Sequence, residues 1–296
     1  MGPMKMPNSV LPYVWMTIGA FAFAVMSTLA HACHEERNGQ VVDWQVIAIV
    51  RTFLAMVFAA GLATASGARL VFFRPRVLWV RSIAGSCALV TGFYSITHMP
   101  VGESLTITNM FPIWVAILSW PLIGVRPTGD VWVSVACGVL GVALIQQPKI
   151  AAGNYVWVIA LASSMFSSIA LLGLHRLHNL DPRSVVAHFS AVSLLFSIAS
   201  AFVFPREDNA TYVFDLTLIT MLLTLGVAAT VGQIMLTKAF ATGDPAKVSV
   251  VGLSQVAFGM FFDVLLWHRA YNATTLLGIL LVVAPSAWLL LHRREP

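Results

Sequence analysis

The sequence predicts an all-α polytopic membrane protein with ten transmembrane helices, arranged as two inverted five-helix repeats. Hydrophobic residues make up 58% of the 296-residue chain and charged residues only 10%, whereas soluble domains have roughly 45–50% and 25%. The apolar residues form continuous runs of about 20 residues, which is the length of a membrane-spanning helix, and they lack the alternation of a barrel strand. The layout of the first five runs also restarts in the last five.

Polar residues, prolines and glycines separate the apolar runs and give each predicted span its limits. The first run is too long, and its flanks too weakly basic, for a cleaved signal peptide, so it counts as a helix. The predicted spans are, in order, 10–31, 44–65, 79–98, 103–123, 130–147, 154–174, 184–204, 214–239, 246–267 and 274–291.

The two halves share a layout at an offset of about 144 residues. Tyr13-Val14-Trp15 opens the first span and Tyr155-Val156-Trp157 opens the sixth. Because five crossings are an odd number, the second half must enter the membrane from the opposite side. Inverted repeats of this kind are typical of secondary transporters. We expect the first repeat to comprise residues 1–148 and the second to comprise residues 149–296.

The segment FYSITHMPVGESLTITNMFPIWVAILSWPLIGVRPTGDVWVSVACGVLGVALI, residues 93–145, resembles the drug/metabolite transporter superfamily and within it the EamA-type ten-helix permeases. Its counterpart runs from Thr237 to about Leu291. The loop Gly124-Val125-Arg126 departs from the family pattern, since the usual acid is missing. The resemblance implies a secondary-active transporter in the bacterial inner (plasma) membrane, with a central cavity between the halves and transport by alternating access.

The expected cargo is a small organic metabolite that is exported, either a carboxylate-bearing amino acid or a related zwitterion or anion. The alternatives are an exporter of cationic or amphipathic drugs or polyamines, and a scaffold or sensor that transports nothing. An enzyme is not expected, because the chain lacks the motifs of hydrolases, metalloproteases and nucleotide-binding enzymes. The net charge of +5 does not indicate a nucleic-acid partner, because no soluble face carries a basic patch.

Neither a cofactor nor a metal is expected. The loop HACHEERNG, starting at His31, holds His, Cys and Glu residues too close together to converge on one ion, and the three cysteines form no CxxC pair. The expected partners are the small-molecule substrate and the lipid bilayer, with either a proton or an exchanged substrate as the coupling species. The chain is expected to act as a monomer or a homodimer.

Arg51 is the leading candidate for a substrate ligand, because a guanidinium inside a span is costly and suits a carboxylate or phosphate. It could instead reach the outer interface or pair with Glu103 or Asp43. Aromatic and hydrogen-bonding residues on the spans expected to line the cavity complete the predicted site, although each could equally serve helix packing. The predicted substrate-binding residues are Arg51, Trp15, Tyr94, His98, Asn109, Gln233 and Gln255.

Four residues are predicted to gate the pathway or couple it to an ion: Glu103, Asp263, Lys247 and Pro112. The two acids are candidates for carrying a coupling proton, whereas Glu103 could also simply complement a helix N-terminus. Lys247 could serve only as an anchor at the membrane surface. Pro112 is a predicted bend point, because proline removes a backbone hydrogen bond.

The basic residues predict the orientation of the chain. Twelve of the 17 lysines and arginines, Arg81 among them, fall on or near one side of the membrane. The positive-inside rule therefore predicts that both termini are cytoplasmic.

Overall fold

The computed structural model describes residues 10–34, 42–98, 101–147, 155–204, 214–268 and 271–291, and these segments form twelve helices. The helices are α1 (Leu11–His34), α2 (Trp44–Ala65), α3 (Arg76–His98), α4 (Val101–Thr108), α5 (Phe111–Ile123), α6 (Gly129–Gln146), α7 (Val156–His175), α8 (Pro182–Val203), α9 (Leu216–Thr242), α10 (Pro245–Gly252), α11 (Ser254–Trp267) and α12 (Ala273–Leu291).

The prediction of ten helical spans in an all-α membrane protein is confirmed. Eight helical segments are long and apolar enough to cross a membrane, with α4–α5 and α10–α11 each crossing as one unit, and α6 and α12 are shorter apolar helices. The predicted limits differ by a few residues: α3 begins at Arg76 and α9 continues to Thr242. The predicted boundary between residues 148 and 149 lies outside the described residues.

The fourth and ninth spans are each interrupted once. The first interruption lies beside Pro112, a predicted bend point, whereas the one at Leu253 was not predicted. In the fourth, the Met110 N–H bonds the Ile107 carbonyl at 3.1 Å, and in the ninth the Leu253 N–H bonds the Val250 carbonyl at 3.1 Å. These bonds span three residues instead of four, so the helix tightens locally. The breaks at Asn109 and Leu253 lie 144 residues apart and therefore occupy equivalent places in the two halves.

The contacts between the halves come in matching pairs. At the offset of 144 residues, α1, α2, α3 and α6 correspond to α7, α8, α9 and α12. The packing of α1 against α9 is matched by that of α7 against α3, and the packing of α2 against α9 by that of α8 against α3. The two halves are therefore related by an approximate two-fold axis.

Hydrogen bonds at both ends of the α2–α8 pair show that these equivalent helices run antiparallel. Arg183, at the start of α8, donates from Nη1 to the Leu62 carbonyl near the end of α2 at 3.3 Å. Gln45, at the start of α2, donates from Nε2 to the Phe204 carbonyl just after α8 at 3.2 Å. Since equivalent helices point in opposite directions, the second half is inverted relative to the first.

The α6–α12 pair leads to the same conclusion. Gln147, which follows α6, donates to Asn272, which precedes α12, at 3.2 Å. Between these ends the helices approach closely at two glycines: a Cβ on Gly141 would lie 2.7 Å from the carbonyl oxygen of Gly278, and a Cβ on Gly278 would lie 2.6 Å from that of Gly141. Small residues at such a crossing allow helix backbones to meet inside a membrane.

Candidate functional site

A buried arginine lies where four helices meet. Arg81 is the sixth residue of α3 and is 3% exposed. Its guanidinium carbon lies 3.7 Å from the centroid of the Phe189 ring in α8, and Nη2 donates to Oε1 of Gln233 in α9 at 3.2 Å. Nε has no hydrogen-bond partner among the described residues. Within the described part of the chain Arg81 contacts no carboxylate, so no described residue neutralises its positive charge.

Two glycines provide the space for this side chain. A Cβ on Gly85, one turn along α3, would lie 2.8 Å from Arg81 Nη1 and 2.8 Å from Cε2 of Phe189. A Cβ on Gly173 in α7 would lie 3.1 Å from Cβ of Arg81. The backbone is therefore shaped around a guanidinium stacked on an aromatic ring.

His188 of α8, next to Phe189 in the chain, adds polar contacts to this interface but no negative charge. The Phe72 carbonyl, 3.1 Å from Nε2 of His188, can only accept a hydrogen bond, so Nε2 carries the hydrogen. Nδ1 then accepts from the Ser82 hydroxyl at 2.8 Å. One turn further along α3, the hydroxyls of Ser86 and Ser193 hydrogen-bond at 2.9 Å. The α3–α8 interface is thus polar and uncharged around the guanidinium.

Arg51 lies near the opposite end of the bundle. It is the eighth residue of α2, roughly 10 Å from the start of that helix at 1.5 Å per residue. It lies one turn from buried Ala48 and one turn from buried Ala55, while Phe53 and Val57 on the other side of α2 are exposed. Arg51 therefore faces the interior of the bundle, and no hydrogen bond or ion pair joins it to another described residue.

The predicted aromatic residues lie at opposite ends of the bundle. Trp15 is near the start of α1, with Lys238 Nζ 5.7 Å from its ring centroid. Tyr94 is near the end of α3, with its ring centroid 5.1 Å from that of Phe204. Because α1 and α3 cross in the same direction, the structure does not bring these two rings together around Arg51.

Several predicted polar residues lie at the helix breaks. The Asn109 amide donates to the Leu105 carbonyl at 2.8 Å, and Pro112 is buried at the second residue of α5. Gln255 is half-buried at the second residue of α11, with no hydrogen bond to another described residue. The two breaks adjoin, since a Cβ on Gly252 would lie 3.7 Å from Cζ of Phe111.

Of the predicted gating residues, Asp263 and Lys247 lie near the ends of their helices. Asp263, one turn before the end of α11, accepts from the Tyr271 hydroxyl at 3.2 Å. Lys247 is the third residue of α10, and its N–H lies 3.5 Å from Oδ1 of Asp244. The side chains of His98 and Glu103 lie outside the described residues.

Asp244 caps α10 and is an acid that the sequence did not single out. Oδ1 accepts from the Ala246 N–H at 3.0 Å. Burial raises the pKa of the Asp244 carboxyl above its ordinary value, while the Lys247 charge and the capping N–H groups lower it. It lies in the turn between α9 and α10, outside the membrane-spanning segments.

Arg81 is the functional candidate that sequence reasoning missed. In the sequence, its place near the start of a span indicates one of the charges that set orientation. The distinguishing signal is Gly85 four residues later, a residue without a side chain on the same helix face. No three His, Cys, Asp or Glu residues within the described ranges could together hold a metal ion.

Comparison with known proteins gives four findings. The model of the EamA-like transporter family matches residues 10–147 and 154–291. The pseudopaline exporter CntI of Pseudomonas aeruginosa is 28% identical over 278 residues, covering 90% of this chain and 92% of that protein. An uncharacterised transporter of Helicobacter pylori is 23% identical, covering 69% of each chain. A solved crystal structure at 16% identity superposes with a TM-score of 0.82, covering 97% of this chain and 100% of the other, and so shows the fold alone.

Proposed function

The chain belongs to the EamA-like transporter family, and on that basis we propose that it exports a small organic metabolite bearing a carboxylate or related acidic group. The chain is a multi-pass membrane transporter and not an enzyme. Export is favoured by the similarity to the pseudopaline exporter of Pseudomonas aeruginosa. The acidic group of the cargo is inferred from the charges inside the bundle.

The observation that carries the proposed cargo class is Arg51. An arginine in the membrane interior costs at least roughly 2.5–3.5 kcal/mol on insertion scales, and such residues usually face a cavity or a partner. Arg51 faces the bundle interior between Ala48 and Ala55, and no described carboxylate contacts it. An acidic group on the cargo supplies the missing partner, and a planar guanidinium can bind it with two parallel hydrogen bonds.

The inverted halves supply the transport mechanism. When two halves of similar structure lie upside down relative to each other, exchanging their conformations turns an opening to one side into an opening to the other. The adjoining breaks beside Phe111 and Leu253 place tightened helix turns at the centre of both crossing spans. We assign these breaks, with Pro112, as the bend points of the exchange, and Glu103, Lys247 and Asp263 as candidates for gating near the membrane faces.

We place the protein in the inner (plasma) membrane with both termini in the cytoplasm, as the distribution of basic residues favours. Each chain contains both halves and therefore its own pathway, so either a monomer or a homodimer satisfies the proposal. The coupling species is either a proton or an exchanged substrate. The remaining predicted ligands, Trp15, Tyr94, His98, Asn109, Gln233 and Gln255, are assigned to the two ends and the centre of this pathway.

A thermal-shift screen tests the cargo class. The purified protein is heated with amino acids, di- and tricarboxylates, nucleotides and organic cations in turn. A ligand that binds only the folded state stabilises it by RT ln(1 + [L]/Kd), about 1.4 kcal/mol at ten times Kd. We expect stabilisation of the wild type by at least one acidic ligand, and its loss in Arg51→Gln.

Arg126→Gln is the matched control, because the Arg126 guanidinium is exposed and lies 4.3 Å from the Trp120 ring centroid. It should respond to ligands as the wild type does. If organic cations stabilise the wild type and Arg51→Gln equally while acids stabilise neither, the cargo is cationic and the acidic-cargo proposal fails.

A further inference from the structure

At Arg81, both a positive charge and hydrogen-bonding groups lack partners among the described residues. Nε of Arg81 has no acceptor among the described residues although Arg81 is 3% exposed. A buried cation without an anion is unfavourable unless a partner is bound during part of the functional cycle. A second buried group without a partner among the described residues lies on α9.

Thr237 of α9 is that second group. It is 2% exposed, and its Oγ1 has no hydrogen-bond partner within the described ranges. Threonine in a helix ordinarily bonds the carbonyl four residues back, as Thr230 does with Gly226 at 2.7 Å. Thr237 makes no such bond, so its hydroxyl is available to a ligand.

Thr237 lies on the same face of α9 as the partner of Arg81. Gln233, which accepts from Arg81, is one turn before Thr237. Phe240, whose carbonyl lies 3.2 Å from Nδ1 of His175 in α7, is almost one turn after it. Residues four apart on a helix share a face, so Thr237 lies on the part of α9 that meets α3 and α7.

We propose that Arg81, Gln233 and Thr237 form a second binding site for the acidic group of the cargo, near the membrane face at which α3 begins. The inference rests on the proposed function. Nε and the Nη atoms of Arg81 provide parallel donors to a carboxylate or phosphate oxygen pair, the Gln233 amide and the Thr237 hydroxyl provide further donors, and the Phe189 ring fixes the plane of the guanidinium.

Arg51 and Arg81 provide two binding sites at different depths of one pathway. Leu54, one turn beyond Arg51, packs against Gly226 of α9, which lies eleven residues before Thr237. At 1.5 Å per residue this separation is about 16 Å along α9. The acidic group of one cargo molecule therefore meets Arg51 and Arg81 at different stages of its passage.

A thiol placed at Thr237 tests the site with a probe of either charge. Thr237→Cys is made in a chain whose Cys33, Cys87 and Cys137 are replaced by serine, and the protein is reconstituted in phosphatidylcholine alone, so that no anionic lipid headgroup competes. Modification rates are measured for an anionic sulfonatoethyl and a cationic trimethylammonioethyl methanethiosulfonate, applied to each membrane face. Each rate is divided by the rate of the same reagent with 2-mercaptoethanol.

We expect the anionic reagent to react faster than the cationic one from at least one face. The ratio of the two rates should fall by about tenfold or more in Arg81→Gln, the effect of removing one charge at close range in low-dielectric surroundings. Arg81→Lys should keep most of the preference because it keeps the charge. Arg51→Gln removes an equal charge one turn from Leu54, whose partner Gly226 lies about 16 Å from Thr237 along α9, and it should leave the ratio unchanged.

Three results would overturn the second site: no anionic preference with Arg81 present, a ratio that Arg81→Gln leaves unchanged, or no reaction from either face. The first needs no arginine variant, so it decides the matter even if Arg81→Gln does not fold. The thermal-shift screen fails or succeeds independently. Acid binding that requires Arg51, together with a Thr237→Cys thiol that reacts equally with both reagents, would remove the second site and leave the proposed function standing.

Discussion

Replacing Gly141 with alanine tests the close contact between the two halves at the α6–α12 crossing. The added Cβ would lie 2.7 Å from the Gly278 carbonyl oxygen, 2.8 Å from Cγ2 of Val282 and 3.0 Å from Cβ of Leu281. Ordinary van der Waals contacts begin at 3.4 Å, and the nearest obstacle is backbone, so the helices must move apart. Overpacking of this kind costs typically about 1–3 kcal/mol.

Gly61→Ala is the matched control, because no atom lies within 4 Å of a Cβ at that position in α2. Alanine there should be neutral or stabilising by up to about 1 kcal/mol through its higher helix propensity. The assay is thermal unfolding of both variants in the same detergent. At about 2 °C per kcal/mol, near the lower end of the scale for larger domains, Gly141→Ala should melt about 2–6 °C below the wild type.

Equal midpoints for Gly141→Ala and Gly61→Ala would contradict this packing, because the two changes differ only in what the new methyl group meets. Such a result would mean that α6 and α12 do not approach at these glycines. The inverted arrangement would then rest on the α2–α8 pair alone.

Two further variants test the buried charges. Gly85→Ala should lower the anionic preference of the Thr237→Cys thiol, because its Cβ would lie 2.8 Å from both Arg81 Nη1 and the Phe189 ring and would displace the guanidinium; an unchanged ratio of the two modification rates would count against the role given to this stack. For Asp244, whose pKa burial raises, the folded state holds its proton to higher pH than the unfolded state, so stability falls as pH rises between the two pKa values. The unfolding midpoint measured from pH 4 to 7 should therefore fall less in Asp244→Asn than in the wild type. Asp181→Asn, a change in the N-cap of α8, is the control. If the midpoint depends on pH equally in both variants, the effect is general to capping aspartates and not specific to Asp244.

The sequence predicts the spans well because one physical constraint dominates them. In lipid every backbone group must be bonded within its own helix, so apolar length alone places α2 at residues 44–65 as observed. The breaks escape this reasoning. Leu253 is apolar and sits in a continuous run, and only the hydrogen bond from its N–H to the Val250 carbonyl shows that the helix tightens there.

The candidate site is predicted less well, because burial depends on which helix face meets which neighbour. Arg51 lies about two turns, and Arg81 about one and a half turns, from the start of its helix, and in the sequence both could extend to the membrane surface. Only the tertiary contacts distinguish them from exposed arginines: Gly173 and Phe189 enclose Arg81. Thr237 likewise stands out only in the structure, where its hydroxyl has no hydrogen-bond partner among the described residues.

Exchange flux in proteoliposomes decides whether this chain carries an acidic metabolite across a membrane. Vesicles loaded with the acidic ligand that stabilises the protein best are given the same ligand, isotopically labelled, outside. We predict saturable, protein-dependent uptake of the label that is lost in Arg51→Gln and retained in Arg126→Gln. Uptake that is equal in the wild type, in Arg51→Gln and in vesicles without protein would contradict transport of an acidic metabolite by this chain.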